Sequence, residues 1–184
     1  MLFTYENTAG TPGTSAAYWP SDSELVRPPG RFALVIFAHP DCPCTRASLA
    51  ELELIMTQLQ GKIIAFIQFR KPGASQAEVQ ESPLWKRAAA IPGVSVGFDR
   101  DGHGVQSFGA EVSGQTLLYN RDGQLVFSGG ITAARGHEGD NSGVDAIILR
   151  VEDKYAPFHA PVFGCSLRDP DSGILNKDTS WKKQ

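Results

Sequence analysis

Phe37-Ala38-His39-Pro40-Asp41-Cys42-Pro43-Cys44-Thr45-Arg46 sets two of the chain's three cysteines one residue apart. The residues on either side decide what kind of turn carries them. Upstream, residues 32–38 are a run of apolar and β-branched side chains, the pattern of a buried strand. Downstream, Leu49, Leu52, Met56 and Leu59 recur at the three- and four-residue spacing of an amphipathic helix. The cysteines therefore occupy a strand-to-helix turn. At such a turn the first helical N–H groups are unpaired and the helix dipole is positive, so a thiolate is stabilised and its pKa falls. Cys42 is expected to be the more acidic and more exposed thiol. A thiolate of this kind is both a nucleophile and a soft-metal ligand.

At 184 residues, 41% hydrophobic and 20% charged, the chain has the composition of one globular domain with a core of its own. The formal net charge of −3, with Lys and Arg scattered, offers no basic face for a nucleic-acid backbone. No stretch of about eighteen apolar residues and no charged-then-apolar leader occurs, so neither a membrane span nor a signal peptide is expected in this sequence. Three cysteines are too few for a disulfide-stapled scaffold and fit one redox or metal pair plus a further thiol.

Taken in order, residues 1–30 are rich in Thr, Gly, Ser and Pro without a period, and read as an arm or linker pinned by Tyr18, Trp19 and Leu25. A domain follows over residues 31–156, and residues 157–184 form a C-terminal extension expected to lie against the body and loosen near Asn176 and Lys177. After the first strand comes a helix over 45–60, stopped by Gly61, then a buried strand over 62–69. The breakers Lys71-Pro72-Gly73-Ala74-Ser75 open a polar stretch. Ser82 and Pro83 are an N-cap and a first helical residue for a helix to 90. A short strand over 94–98 and a short helix over 104–110 precede strands at 116–119 and 125–128, which flank the hairpin signal Arg121-Asp122-Gly123. A glycine-rich loop over 129–143 leads to a last helix, capped by Asn141 or Ser142, with Val144, Ile147, Ile148, Val151 and Tyr155 as its apolar face. Gly102, Gly104 and Gly109 have the wrong spacing and context for a dinucleotide fingerprint.

This order of elements, βαβ followed by ββα, resembles a thioredoxin-like domain: α/β, a central mixed sheet flanked by helices. The motif around Cys42 resembles the strand end that leads to that fold's first active-site cysteine, and Gln115-Thr116-Leu117-Leu118-Tyr119 with Arg121-Asp122-Gly123 resembles its run into the hairpin. The sequence more closely resembles the RedB-like group of bacterial proteins, relatives of the TlpA-type thioredoxins. The similarity lies in residues 39–46, in Gly129-Gly130-Ile131-Thr132 with Arg135-Gly136-His137-Glu138-Gly139-Asp140-Asn141, and in Pro161-Val162-Phe163-Gly164-Cys165. The resemblance implies a redox-active disulfide without a cofactor, and a protein thiol or disulfide as partner. It also implies a periplasmic or envelope location behind a tether carried by a longer form, against a cytoplasmic alternative. Two departures matter. Thr45 stands where the resolving cysteine is expected, so Cys44 must resolve from closer in, through a strained and easily reduced ring. Gln115 stands where the fold has its cis-proline, which opens the thiols to metal.

Three chemistries follow for the residues singled out. In a thiol–disulfide oxidoreductase Cys42 attacks, Cys44 resolves, and Arg46 or the helix dipole holds the thiolate. In a soft-metal carrier His39, Cys42 and Cys44, with His137 or Cys165, hold copper or zinc. In a thiol peroxidase Thr45 and Arg46 flank the reactive thiolate. His39 is otherwise a turn-capping loop histidine. Arg135, His137, Glu138, Asp140 and Asn141 are either a solvated loop ending in a helix cap or an active-site flap, and Cys165 is either a packed small hydrophobe or a third redox thiol.

Overall fold

The computed structural model describes residues 9–168. Its elements are β1 (Phe32–Ala38), α1 (Pro43–Gln58), β2 (Ile63–Phe69), α2 (Gln76–Gln80), α3 (Pro83–Ala89), β3 (Val94–Phe98), α4 (His103–Phe108), β4 (Gln115–Tyr119), β5 (Leu125–Gly129) and α5 (Ser142–Val151). The strands form one sheet in the order β3-β2-β1-β4-β5. β1 runs parallel to β2, and β2 to β3, through helical crossovers; β4 pairs antiparallel with β1 and with β5.

β1 lies at the centre and every residue of it is buried. That burial on both faces explains why its sequence is a continuous apolar run without alternation. On one face Leu34 and Ile36 pack with Leu52 and Ile55 of α1 and Ile147 of α5. On the other, Val35 and Phe37 pack with Phe108 of α4, Tyr119 of β4 and Leu167, and Trp19 of the arm closes over them. Phe37 thus anchors the strand end from which the cysteine turn departs.

The sheet expected from the sequence is present, with the hairpin at Asp122-Gly123. The Asn120 side-chain oxygen accepts from the N–H groups of Asp122 and Gln124 at 3.0 and 2.9 Å, and Gly123 takes a positive φ of 82°. Several boundaries differ. α1 begins at Pro43 rather than 45, because proline's fixed φ suits the first helical position and leaves Cys42 as N-cap. α2 arises within the polar stretch to which no element was assigned, where the Ser75 hydroxyl accepts from the Glu78 N–H. α5 ends at Val151 and the chain reverses at Asp153 (φ 57°), so Tyr155 leaves the apolar face and stands 92% exposed.

Residues 157–168 are stitched to the body by backbone hydrogen bonds. Ser128 N–H donates to Phe158, Gly130 to Pro161, Ser113 to Cys165 (2.8 Å) and Leu167 to Glu111 (2.9 Å). The segment around Asn176 and Lys177 lies outside the described residues.

Candidate functional site

The turn after β1 is built on His39. Its carbonyl accepts from the Cys42 N–H at 3.2 Å and from the Thr45 hydroxyl at 2.9 Å, and its N–H donates to the Ser113 hydroxyl at 2.9 Å. Its Nδ1 accepts from the Asp41 N–H at 3.1 Å, so this ring nitrogen is committed to the turn. Thr45 is buried, and its hydroxyl also lies 3.1 Å from that of Ser113.

This framework places Cys42 at the N-cap of α1 and Cys44 inside its first turn. Both are buried, at 2% and 3% exposure. The third thiol arrives from the closing segment: Cys165 Sγ lies 3.3 Å from Cys42 Sγ, and Cys165 is exposed. The expectation that Cys42 would be the most exposed thiol is therefore corrected. Cys42 is covered by the closing segment, whose approach to the turn spans 123 residues of sequence.

The electrostatics are set by sulfur. Cys42 is drawn down to about 4, first by the hydrogen bond from Cys44, then by that from Cys165 and by the backbone N–H groups of both, against the opposing effect of burial. Cys44 is pushed far up because its proton is held in the bond to Cys42, with burial and the Cys42 charge adding. Cys165 rises to about 11, mainly through burial and then through Cys42. The acidic member is thus the central sulfur, and the helix start contributes through the Cys44 N–H.

The loop after β5 reaches this cluster with two residues. Arg135 Nη1 donates to the Gly164 carbonyl at 2.8 Å, and its charge partly offsets the rise of Cys44 and Cys165. The Gly136 N–H faces Cys44. Farther along, His137 and Asp140 are exposed and the Asn141 side chain caps α5 by accepting from the Val144 N–H at 2.9 Å. Arg46 is exposed and borders a groove of about 400 Å³ that touches Cys42 and is walled by Pro40, Pro43, Pro83 and Leu84. The groups that depress Cys42 are the two thiols and their N–H groups, and Arg46 is not one of them.

Gln115 is fully buried on the arm side of the sheet. Its side-chain N–H groups donate to the Ser15 hydroxyl and the Gly109 carbonyl at 3.2 and 3.3 Å, and its oxygen accepts from the Glu111 N–H. The positions that face the thiol turn are Ser113 and Gly114, in the turn just before β4. Among the described residues no three His, Cys, Asp or Glu side chains converge to hold a metal ion, so His39, Cys42 and Cys44 are not gathered as a ligand set.

Two residues to which the sequence assigned no role in the site hold it together. Ser113 joins the cysteine turn to the closing segment through its hydroxyl and its backbone. Gly164 passes so close to it that a Cβ there would stand 1.7 Å from the Ser113 carbonyl oxygen. Nothing in the local sequence marks Ser113, whereas the adjacency of Gly164 to Cys165 was a usable signal.

No protein-family model and no curated protein matches the chain. Solved structures do. A hypothetical protein from Sinorhizobium meliloti superposes with a TM-score of 0.61 at 19% identity, covering 89% of this chain and 97% of that one. The pneumococcal exposed lipoprotein thioredoxin Etrx1 from Streptococcus pneumoniae gives 0.51 at 17%, over 67% and 85%. An SCO1/SenC family lipoprotein from Bacillus anthracis gives 0.50 at 12%, over 67% and 81%. Identities this low speak to architecture alone, and the architecture is the one the element order implied: the chain has a thioredoxin-like α/β fold, a mixed five-stranded sheet flanked by helices.

Proposed function

We propose that the protein is a thiol–disulfide oxidoreductase whose reactive group is the Cys42 thiolate. One observation carries this reading: a sulfur at a strand-to-helix turn, drawn far below the ordinary thiol range, with a second thiol 3.3 Å away. A thiolate so placed attacks one sulfur of a disulfide and expels the other as a thiolate, and a neighbouring thiol then displaces the bound half. The redox group is the protein's own sulfur pair, and no cofactor takes part. The groove beside Cys42, apolar along its prolines and charged at Asp41 and Arg46, suits a peptide segment of a protein substrate.

The RedB-like, TlpA-related assignment and a periplasmic or envelope location belong to the same proposal. The motifs at residues 39–46, 129–141 and 161–165 support the first. The exposed lipoprotein thioredoxin among the similar folds supports the second. No described helix is long and apolar enough to cross a membrane.

The test is exchange with oxidised glutathione. Reduced wild type is expected to consume it with loss of two thiols, and Cys42→Ser to be inert. A wild type that carries stoichiometric copper or zinc on purification and does not exchange would replace this reading with the soft-metal carrier. Preferential consumption of hydrogen peroxide over disulfides would replace it with the peroxidase.

A further inference from the structure

We infer that Cys165 is the disulfide partner of Cys42 and the sulfur at which thiol substrates enter, and that Cys44 stands outside the redox pair. The inference rests on the oxidoreductase reading and assigns the roles within it.

Three observations lead here. The first is distance: the Cys42 and Cys165 sulfurs are 3.3 Å apart, so a small movement closes a bond between them. The second is access. Cys42 and Cys44 are 2% and 3% exposed, whereas Cys165 is an exposed residue whose sulfur is only partly buried against Cys42, so an incoming protein thiol meets Cys165 first. The third is backbone geometry. Cys42 and Cys44 are the N-cap and second residue of α1, and the Thr45 N–H already bonds the Cys42 carbonyl at 3.0 Å; a ring across the single residue Pro43 would have to open that turn.

Cys165, by contrast, is presented by a segment fixed on both sides. Its own carbonyl accepts from Ser113, the Gly164 carbonyl accepts from Arg135, and the Leu167 carbonyl accepts from the buried Arg70 at 3.0 Å. Val162, Phe163 and Leu167 are buried around it. The exposed thiol is therefore held in place opposite its partner and is not carried on a free tail.

A substrate thiolate attacks Cys165 Sγ of the Cys42–Cys165 disulfide. The S–S bond breaks, its electron pair leaves with Cys42, and a substrate–Cys165 mixed disulfide forms. The second thiol of the substrate gives its proton to solvent and attacks its own bonded sulfur, releasing an oxidised substrate and the Cys165 thiolate, which takes up a proton. Two electrons have passed from the substrate dithiol to the protein pair. Reoxidation uses a second, disulfide-bearing reactant: Cys42 attacks it, expels one half as thiol, and Cys165 displaces the other half. Cys42 is the better leaving group of the pair because it stands at the N-cap of α1, where the helix start stabilises the departing thiolate, so the couple favours oxidation of its substrates.

The deciding experiment treats the reduced full chain with oxidised glutathione, quenches in acid, alkylates the remaining thiols and maps the linkage by mass spectrometry. A Cys42–Cys165 link with Cys44 alkylated is expected. A Cys42–Cys44 link with Cys165 alkylated overturns the inference and leaves the proposed function standing, whereas the absence of any exchange removes both. Two variants add an independent reading. Cys44→Ser should still form the internal disulfide, and Cys165→Ser should instead accumulate a glutathionyl adduct on Cys42. An internal disulfide in Cys165→Ser would also overturn the assignment.

Discussion

An ordinary cysteine thiol titrates near 8.5, and in the folded reduced protein Cys42 is drawn to about 4 by donors that an unfolded chain cannot assemble. Between those values the native state carries a Cys42 thiolate where the unfolded state carries a thiol, so the native state binds fewer protons. Stability of the reduced protein should accordingly rise with pH across this window and fall away as pH drops towards 4, a slope that Cys42→Ala should flatten in urea melts. The Cys44 hydrogen bond is the larger of the two side-chain contributions. Cys44→Ala should therefore raise the Cys42 transition further than Cys165→Ala does, followed by thiolate ultraviolet absorbance; equal shifts would contradict the ordering. At this scale the sequence was informative about identity more than environment. Cys42 and Cys44 stood out at once, since their turn lies between a strand and a helix. Their burial did not, because the cover comes from residues 135–136 and 162–165, brought in by tertiary pairing. Gln115 was misjudged for a similar reason: which side of β4 its side chain takes is fixed by pairing with β1 and β5.

Among the elements, the closing segment depends on backbone approach. Gly164→Ala would drive a Cβ into the Ser113 carbonyl oxygen, and we expect a loss of about 1–3 kcal/mol in urea denaturation, typical of overpacking, together with slower exchange as Cys165 shifts. Asn141→Ala removes the α5 cap and should cost about 1 kcal/mol with exchange unaffected, since that residue sits apart from the sulfurs. The strands were largely legible: β1 matches its apolar run residue for residue, and Asp122-Gly123 fixes the hairpin. α2 escaped notice because five residues with one buried side chain, Val79, show no period. Tyr155 fitted the helical spacing of α5 but falls past a reversal at Asp153, a non-glycine residue in the left-handed region that carries no sequence flag.

For the molecule as a whole, the described part of the arm, residues 9–30, packs on the body. Trp19 lies 5.1–5.8 Å from the rings of Phe66, Phe108 and Tyr119, and its indole N–H donates to the Leu25 carbonyl. Trp19→Ala should lower stability by about 2–4 kcal/mol while leaving the exchange rate per folded molecule unchanged, because the arm covers the sheet face opposite α1. Composition and spacing read residues 1–30 as a linker with pins, and of these pins Trp19 and Leu25 are half-buried against the core while Tyr18 is 64% exposed. The wide separation of the site's sulfurs along the chain also sets an order of events during biosynthesis. Cys42 and Cys44 emerge together, but Cys165 follows 123 residues later, roughly 6–25 s at the usual rate of about 5–20 residues per second. Through that interval Cys42 lacks the Cys165 sulfur that stands 3.3 Å from it in the finished fold, and so lacks its disulfide partner. The nascent chain is thereby spared its own chemistry until nearly all of the described fold has been made.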